Sequence, residues 1–158
     1  MAPDSLLDRL ETREVDYETR ALAVYATTDG WHLVGTVDSA RQWLRASDRD
    51  SLLPLETLLV GRLNYLTADW DGSIRTQPDP TAPIVGRAGA WRASGEDRDE
   101  TPANVLRAQH TASGLWLEVQ VLASTGCDGD TPRVRTTGWI PAWGSRRSPT
   151  AWFFSRGC

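Results

Sequence analysis

Acid–base chemistry near neutral pH calls for histidine, and this 158-residue chain has two, His32 and His110. Nucleophilic chemistry calls for a thiol or an activated hydroxyl beside such a base, and the chain has two cysteines, Cys127 and Cys158. A Cys127–His110 pair would make a thiol hydrolase. The setting of Cys127 argues against it: Thr125-Gly-Cys-Asp-Gly-Asp130 is an acidic loop, and acidic neighbours raise a thiol pKa. Asp69-Trp-Asp71-Gly-Ser73 and Asp128-Gly-Asp130 hint at calcium. An EF-hand loop starting at Asp69 needs Glu at its twelfth position, and Pro80 stands there. Turn formation explains both Asp–Gly steps. No phosphate loop, dinucleotide fingerprint or metal-ligand cluster occurs. The expectation is a non-catalytic protein with no cofactor and no metal.

Composition sets the wider bounds. Hydrophobic residues make up 40% and charged residues 24%, the balance of a globular protein. A chain of this length buries about 70% of its unfolded surface, enough for a real core. No apolar run reaches about 18 residues, so no membrane insertion is expected. Residues 1–14 are acidic and lack the apolar stretch of a signal peptide. All 17 basic residues are arginine. Residues 131–158 carry five arginines and no acid, for +5; residues 1–130 carry −9. Five arginines are few for nucleic-acid binding, and packing against an acidic domain of the same chain explains them. In an oxidising compartment Cys127 and Cys158 could tie the chain end to a loop, a bond contributing about 3–4 kcal/mol by loop entropy. In a reducing compartment they would be two free thiols.

The elements that must position these residues read mainly as strands. Ala21–Tyr25 alternates, Asp29-Gly30 is a hairpin turn, and Trp31–Val34 returns. Gln42-Trp43-Leu44 follows as a short strand. Residues 51–66 differ: apolar residues at 55, 58, 59, 63 and 66 have helical spacing, and Pro54 suits a first turn. Beyond Thr67, Ser73-Ile74-Arg75 and Ile84-Val85-Gly86 read as strands about a proline-rich loop, 77–83. Residues 93–103 read as a solvated loop. Asn104–Ala108 and Leu115–Val121 form a hairpin about Thr111–Gly114, and Trp152-Phe153-Phe154 a last strand or arm.

The two halves repeat weakly. LAVYATTDGWHLV then QWLRA is followed by VLRAQHTASGLWLEV then GWIPA. Each has a strand, a polar turn ending in Gly, a Trp strand, a loop, and a second Trp two residues ahead of a closing pair ending in Ala. Trp31 corresponds to Trp116, and Trp43 to Trp139.

The second half resembles a bacterial SH3-like domain. IRTQPDPTAPIVG at 74–86, GLWLEV at 114–119 and GWIPAW at 138–143 carry the resemblance, which covers about residues 70–145. The first half resembles it only through its Gly-Trp hairpin and Gln-Trp-Leu. The resemblance implies a mainly β fold of two small SH3-like β-barrels joined by a short packed helix. Residues 1–50 would form a degenerate SH3-like domain, 51–68 a helical connector, and 69–158 an SH3-like domain with a C-terminal arm. It also implies a non-catalytic module of a bacterial envelope protein, periplasmic or extracellular, that binds cell-wall peptide or a protein partner.

The eight tryptophans then divide between core and ligand. By strand parity Leu115, Leu117, Val119 and Val121 face the core, and Trp116, Glu118 and Gln120 face the other way. Trp116 is thus a ligand contact or a lid between the barrels. Of Trp139 and Ile140, Ile140 is expected to face the core, which leaves Trp139 as a further ligand contact. Trp143 follows the Pro141 turn, where SH3 domains hold a groove aromatic. Tyr65, Trp70 and Trp91 lie near turns and could line the same cleft. The acidic-aromatic loop of polyproline-binding SH3 domains is absent, which argues against that ligand. The alternatives are an adaptor or inhibitor docking a partner protein and, less favoured, the Cys-dependent hydrolase.

Overall fold

Short antiparallel ladders account for nearly all of the regular structure. The structure, a computed structural model, describes residues 9–38, 40–66, 70–88, 101–123, 129, 131–145 and 147–152. These divide into two compact units, with the boundary between Leu53 and Pro54.

The first unit opens with a hairpin that the sequence did not announce. β1 (Thr12–Asp16) pairs antiparallel with β2 (Thr19–Leu22). Its turn, Tyr17-Glu18, contains none of the usual turn residues, and Glu18 sits at a left-handed φ of 56°. Side chains hold it: Asp16 Oδ1 accepts from the Tyr17 N–H (2.7 Å) and Glu14 Oε1 from the Glu18 N–H (3.1 Å). β3 (Val24–Thr28), β4 (Trp31–Gly35) and β5 (Arg41–Arg45) form a three-stranded meander in that order. Asp29-Gly30 makes the expected two-residue turn, with Gly30 at φ 80°, a conformation glycine adopts freely. Backbone bonds from Glu11 N–H to Gly35 O (2.9 Å) and from Ala23 N–H to Glu11 O (3.3 Å) tie the two ladders together.

The second unit begins with α1 (Leu55–Leu59), much shorter than the helical spacing through residue 66 predicts. Val60 turns extended, and Gly61 takes φ 77° and donates its N–H to Val105 O (2.8 Å). Residues Leu63–Leu66 then form a strand, β6. Asn64, fully buried, donates to the carbonyls of Leu59 (3.0 Å) and Arg62 (2.8 Å), which satisfies groups freed by the helix end. β7 (Ser73–Arg75) and β8 (Ile84–Arg87) flank the proline-rich loop, which Asp79 braces by accepting from the Thr81 N–H and hydroxyl. β9 (Thr101–Thr111), β10 (Gly114–Leu122), β11 (Val134–Pro141) and β12 (Ala151–Trp152) complete the unit. Residues 101–103, expected in a loop, are the start of β9.

All seven strands of this unit form one antiparallel sheet in the order β12-β6-β9-β10-β11-β7-β8. Among the described residues the sheet has two edges, β12 and β8, and does not close. The chain is therefore mainly β, as expected, but the described strands form open sheets rather than the two closed barrels that the SH3-like resemblance implied. α1 and β6, expected in a connector, cluster with the second unit. No helix among the described residues is long and apolar enough to cross a membrane.

Strand parity places the core. Leu117, Val119 and Val121 of β10 lie opposite Ile140, Gly138 and Thr136 of β11. On the other side they lie opposite Ala108, Val105 and Ala103 of β9. Leu117, Val119, Val105, Ala103 and Ile140 are all fully buried, so Ile140 takes the core position assigned to it. A bulge in β9 inserts exposed Leu106 and lets Val105 and Ala108 both face inward.

Candidate functional site

Trp116 and Trp139 lie together on the face of β10 and β11 opposite that core. Trp139 pairs with Glu118 and Trp116 with Pro141, so the two indoles are diagonal neighbours. Trp116, read from the sequence as a ligand contact or a lid, is 4% exposed, and Trp139 is 5% exposed. Trp116 Nε1–H donates to Ser113 Oγ (2.9 Å), as a buried indole requires. The Arg107 guanidinium lies 5.0 Å from the Trp139 ring centroid and its Nε is 2.6 Å from Glu118 Oε2. The carboxylate holds the Arg107 pKa above its ordinary value. Parity assigned the face correctly. β10 is a central strand, and the Arg107 guanidinium from β9 lies over the Trp139 ring.

Of the other expected aromatic contacts, Tyr65, Trp70 and Trp143 lie at separate points along the second unit. Tyr65, half-buried in β6, lies opposite Pro102 and Trp152. Trp70 is half-buried just ahead of the Asp71-Gly72 turn. In that turn Asp71 accepts from the Ser73 N–H (2.9 Å), which lowers its pKa. Trp143 is 37% exposed beyond the end of β11 and bridges to Pro149. Trp91, Cys127 and Cys158 lie outside the described residues, so the proposed disulfide and the thiol of the hydrolase reading lie there too.

The more open aromatic surface is in the first unit. Trp31 and Trp43 are 45% and 47% exposed. Leu33 of β4 lies opposite Trp43, and Trp31 opposite Arg45, so Trp31, Leu33, Arg41, Trp43 and Arg45 share one face. Tyr25 closes one end. Its hydroxyl donates to Glu11 Oε2 (2.7 Å), Arg13 Nη2 donates to Glu11 Oε1 (3.1 Å), and the Arg41 guanidinium lies 4.1 Å from the Tyr25 ring centroid. Burial first, and then the hydrogen bond to the Glu11 carboxylate, push the Tyr25 hydroxyl from 10.0 up to about 12. The opposite face carries buried Val34 and half-buried His32 and Leu44.

These tryptophans were not among the expected ligand contacts. The signal that could have found them is Arg41-x-Trp43-x-Arg45. Strict alternation of arginine with tryptophan marks a solvated strand face, because arginine is seldom fully buried unpaired. Chemically the face offers two flat apolar platforms with cationic ends.

The histidines stand apart from it. His32 Nε2 lies 3.4 Å from Asp50 Oδ2. His110 is exposed and its Nε2 lies 3.2 Å from Glu56 Oε1. Among the described residues no group of three or more His, Cys, Asp or Glu side chains could hold a metal ion.

A comparison with protein-family models, with curated proteins and with solved structures found no match to this chain.

Proposed function

We propose that the chain is a non-catalytic binding module of the bacterial cell envelope, built from tandem SH3-like units, that recognises cell-wall peptide or a protein partner through surface aromatics. The observation that carries this reading is the exposure of Trp31, Trp43 and Trp143 in a small antiparallel protein. Adjacent exposed aromatics such as Trp31 and Trp43, on one face of β4 and β5, mark binding surfaces more often than singly scattered apolar residues do. The tandem part is supported by register. Trp31 lies opposite the residue two beyond Trp43, and Trp116 lies opposite the residue two beyond Trp139.

The test is co-sedimentation with purified peptidoglycan sacculi. The protein should pellet with sacculi, and a Trp31→Ala/Trp43→Ala/Trp143→Ala variant should remain in the supernatant. A wild-type protein that stays in the supernatant overturns the cell-wall reading.

A further inference from the structure

β5 is an outer strand of its sheet: it pairs with β4 on one side and with no other described strand. Along it Arg41, Trp43 and Arg45 point to one face at about 6.8 Å intervals, the two-residue repeat of an extended chain. Both arginines are exposed, and Arg45 makes no ion pair among the described residues. Trp43 stands exposed between them.

We propose that β5 is the docking edge for an extended peptide of another protein, one whose alternate side chains read acidic, apolar, acidic. A strand added beside β5 sets its side chains directly against every second residue of β5. The apolar side chain then covers the Trp43 indole, and the two carboxylates meet Arg41 and Arg45 in charge-assisted bonds. The same alternation disfavours a second copy of this chain. Antiparallel self-pairing about Trp43 sets Arg41 against the copy's Arg45, and parallel pairing sets each arginine against itself. A polyanion such as nucleic acid is disfavoured by the surrounding field, because residues 1–53 carry ten acids against six arginines. A sugar ring could stack on the indoles but would leave the evenly spaced cations unused.

This inference rests on the binding-module reading and commits it to a peptide ligand at β5. The probe is a fluorescein-labelled peptide centred on Glu-Thr-Trp-Thr-Glu, titrated with the full chain by fluorescence anisotropy. A matched peptide carries Lys in place of both Glu. Wild type should bind the Glu peptide and not the Lys peptide. Trp43→Ala should weaken binding about tenfold or more. Arg41→Glu/Arg45→Glu should invert the preference between the two peptides. Arg45→Glu alone, which leaves the Arg41–Tyr25 stack intact, should weaken the Glu peptide and keep the circular dichroism unchanged. Wild type that binds neither peptide, or both equally, overturns the proposal, as does a charge-swapped variant that behaves as wild type. Sacculus binding without any charge-swap effect sinks this inference and leaves the envelope reading standing. Charge inversion without sacculus binding does the reverse.

Discussion

The β4–β5 pair and the β10–β11 pair hold their tryptophans at the same register and give them opposite surroundings. In each, the first Trp lies opposite the residue two beyond the second Trp. Yet Trp31 and Trp43 are nearly half exposed, and Trp116 and Trp139 are buried. For the second Trp of each pair the difference follows what flanks it, since β11 continues to β7 and β5 to no described strand; Trp31 is exposed although β4, like β10, has a strand on each side. β10 has β9 on its far side, and β9 supplies Arg107 to lie against Trp139 and to pair with Glu118. β5 has no described strand on its far side, and its own arginines flank Trp43 without covering it. One local pattern therefore serves as structure in the second unit and as surface in the first.

The largest test of this contrast is truncation. Trp139→Ala should destabilise the second unit by about 3–5 kcal/mol, through lost burial and the cavity left behind. Trp43→Ala should change the stability of the first unit by less than about 1 kcal/mol. Urea unfolding of the two variants measures both. Equal losses would mean that Trp43 is a packing residue, and the surface role of β5 would fall with that result.

A smaller effect comes from two glycines. A Cβ at Gly138 would lie 2.6 Å from the Arg75 carbonyl oxygen and 2.7 Å from Ile74 Cγ2, where β11 crosses β7. Gly138→Ala should therefore cost about 1–3 kcal/mol by overpacking. Gly30 has open space around it and only its left-handed φ to lose, so Gly30→Ala should cost about 1 kcal/mol. If the order is reversed in thermal melts, the second unit is not the more tightly packed of the two.

The smallest effect is electrostatic and belongs to the first unit. The Tyr25 hydroxyl is held protonated by burial and by its bond to Glu11, with its pKa raised from 10.0 to about 12. A raised folded-state pKa gives stabilisation that is complete below the unfolded value and lost as pH rises through the folded one. Wild type should thus lose stability relative to Tyr25→Phe between pH 10 and about 12. Melting temperatures of the two proteins across that interval measure it. Parallel curves would show that the Tyr25 hydroxyl is neither buried nor bonded to Glu11 in solution.

Much of the strand content was legible. The Asp29-Gly30 turn, the Thr111–Gly114 turn and the alternation in Leu115–Val121 each state a local preference that the structure keeps. The β1–β2 hairpin was not legible, because its turn is held by Asp16 and Glu14 side chains instead of by turn-forming residues. The short helix was misread in length. Leu63 and Leu66 fit the helical period and fall on opposite faces of β6, so pairing with Asn104 and Thr101 overrode the periodicity. At the candidate site the sequence pointed to Trp116, Trp139 and Trp143, and the exposure of Trp31 and Trp43 was not read from it.

By itself the sequence determined which residues share a strand face, where the glycine-marked turns fall and how the two Trp patterns correspond. These follow from the period of two along a strand and from the few residues that tolerate a turn. The tertiary structure alone decided which faces meet water, where α1 stops and which strands become edges. Those outcomes depend on groups brought together from distant strands, as Arg107 is against Trp139 and Gly61 against Val105. A local pattern carries no record of its spatial neighbours.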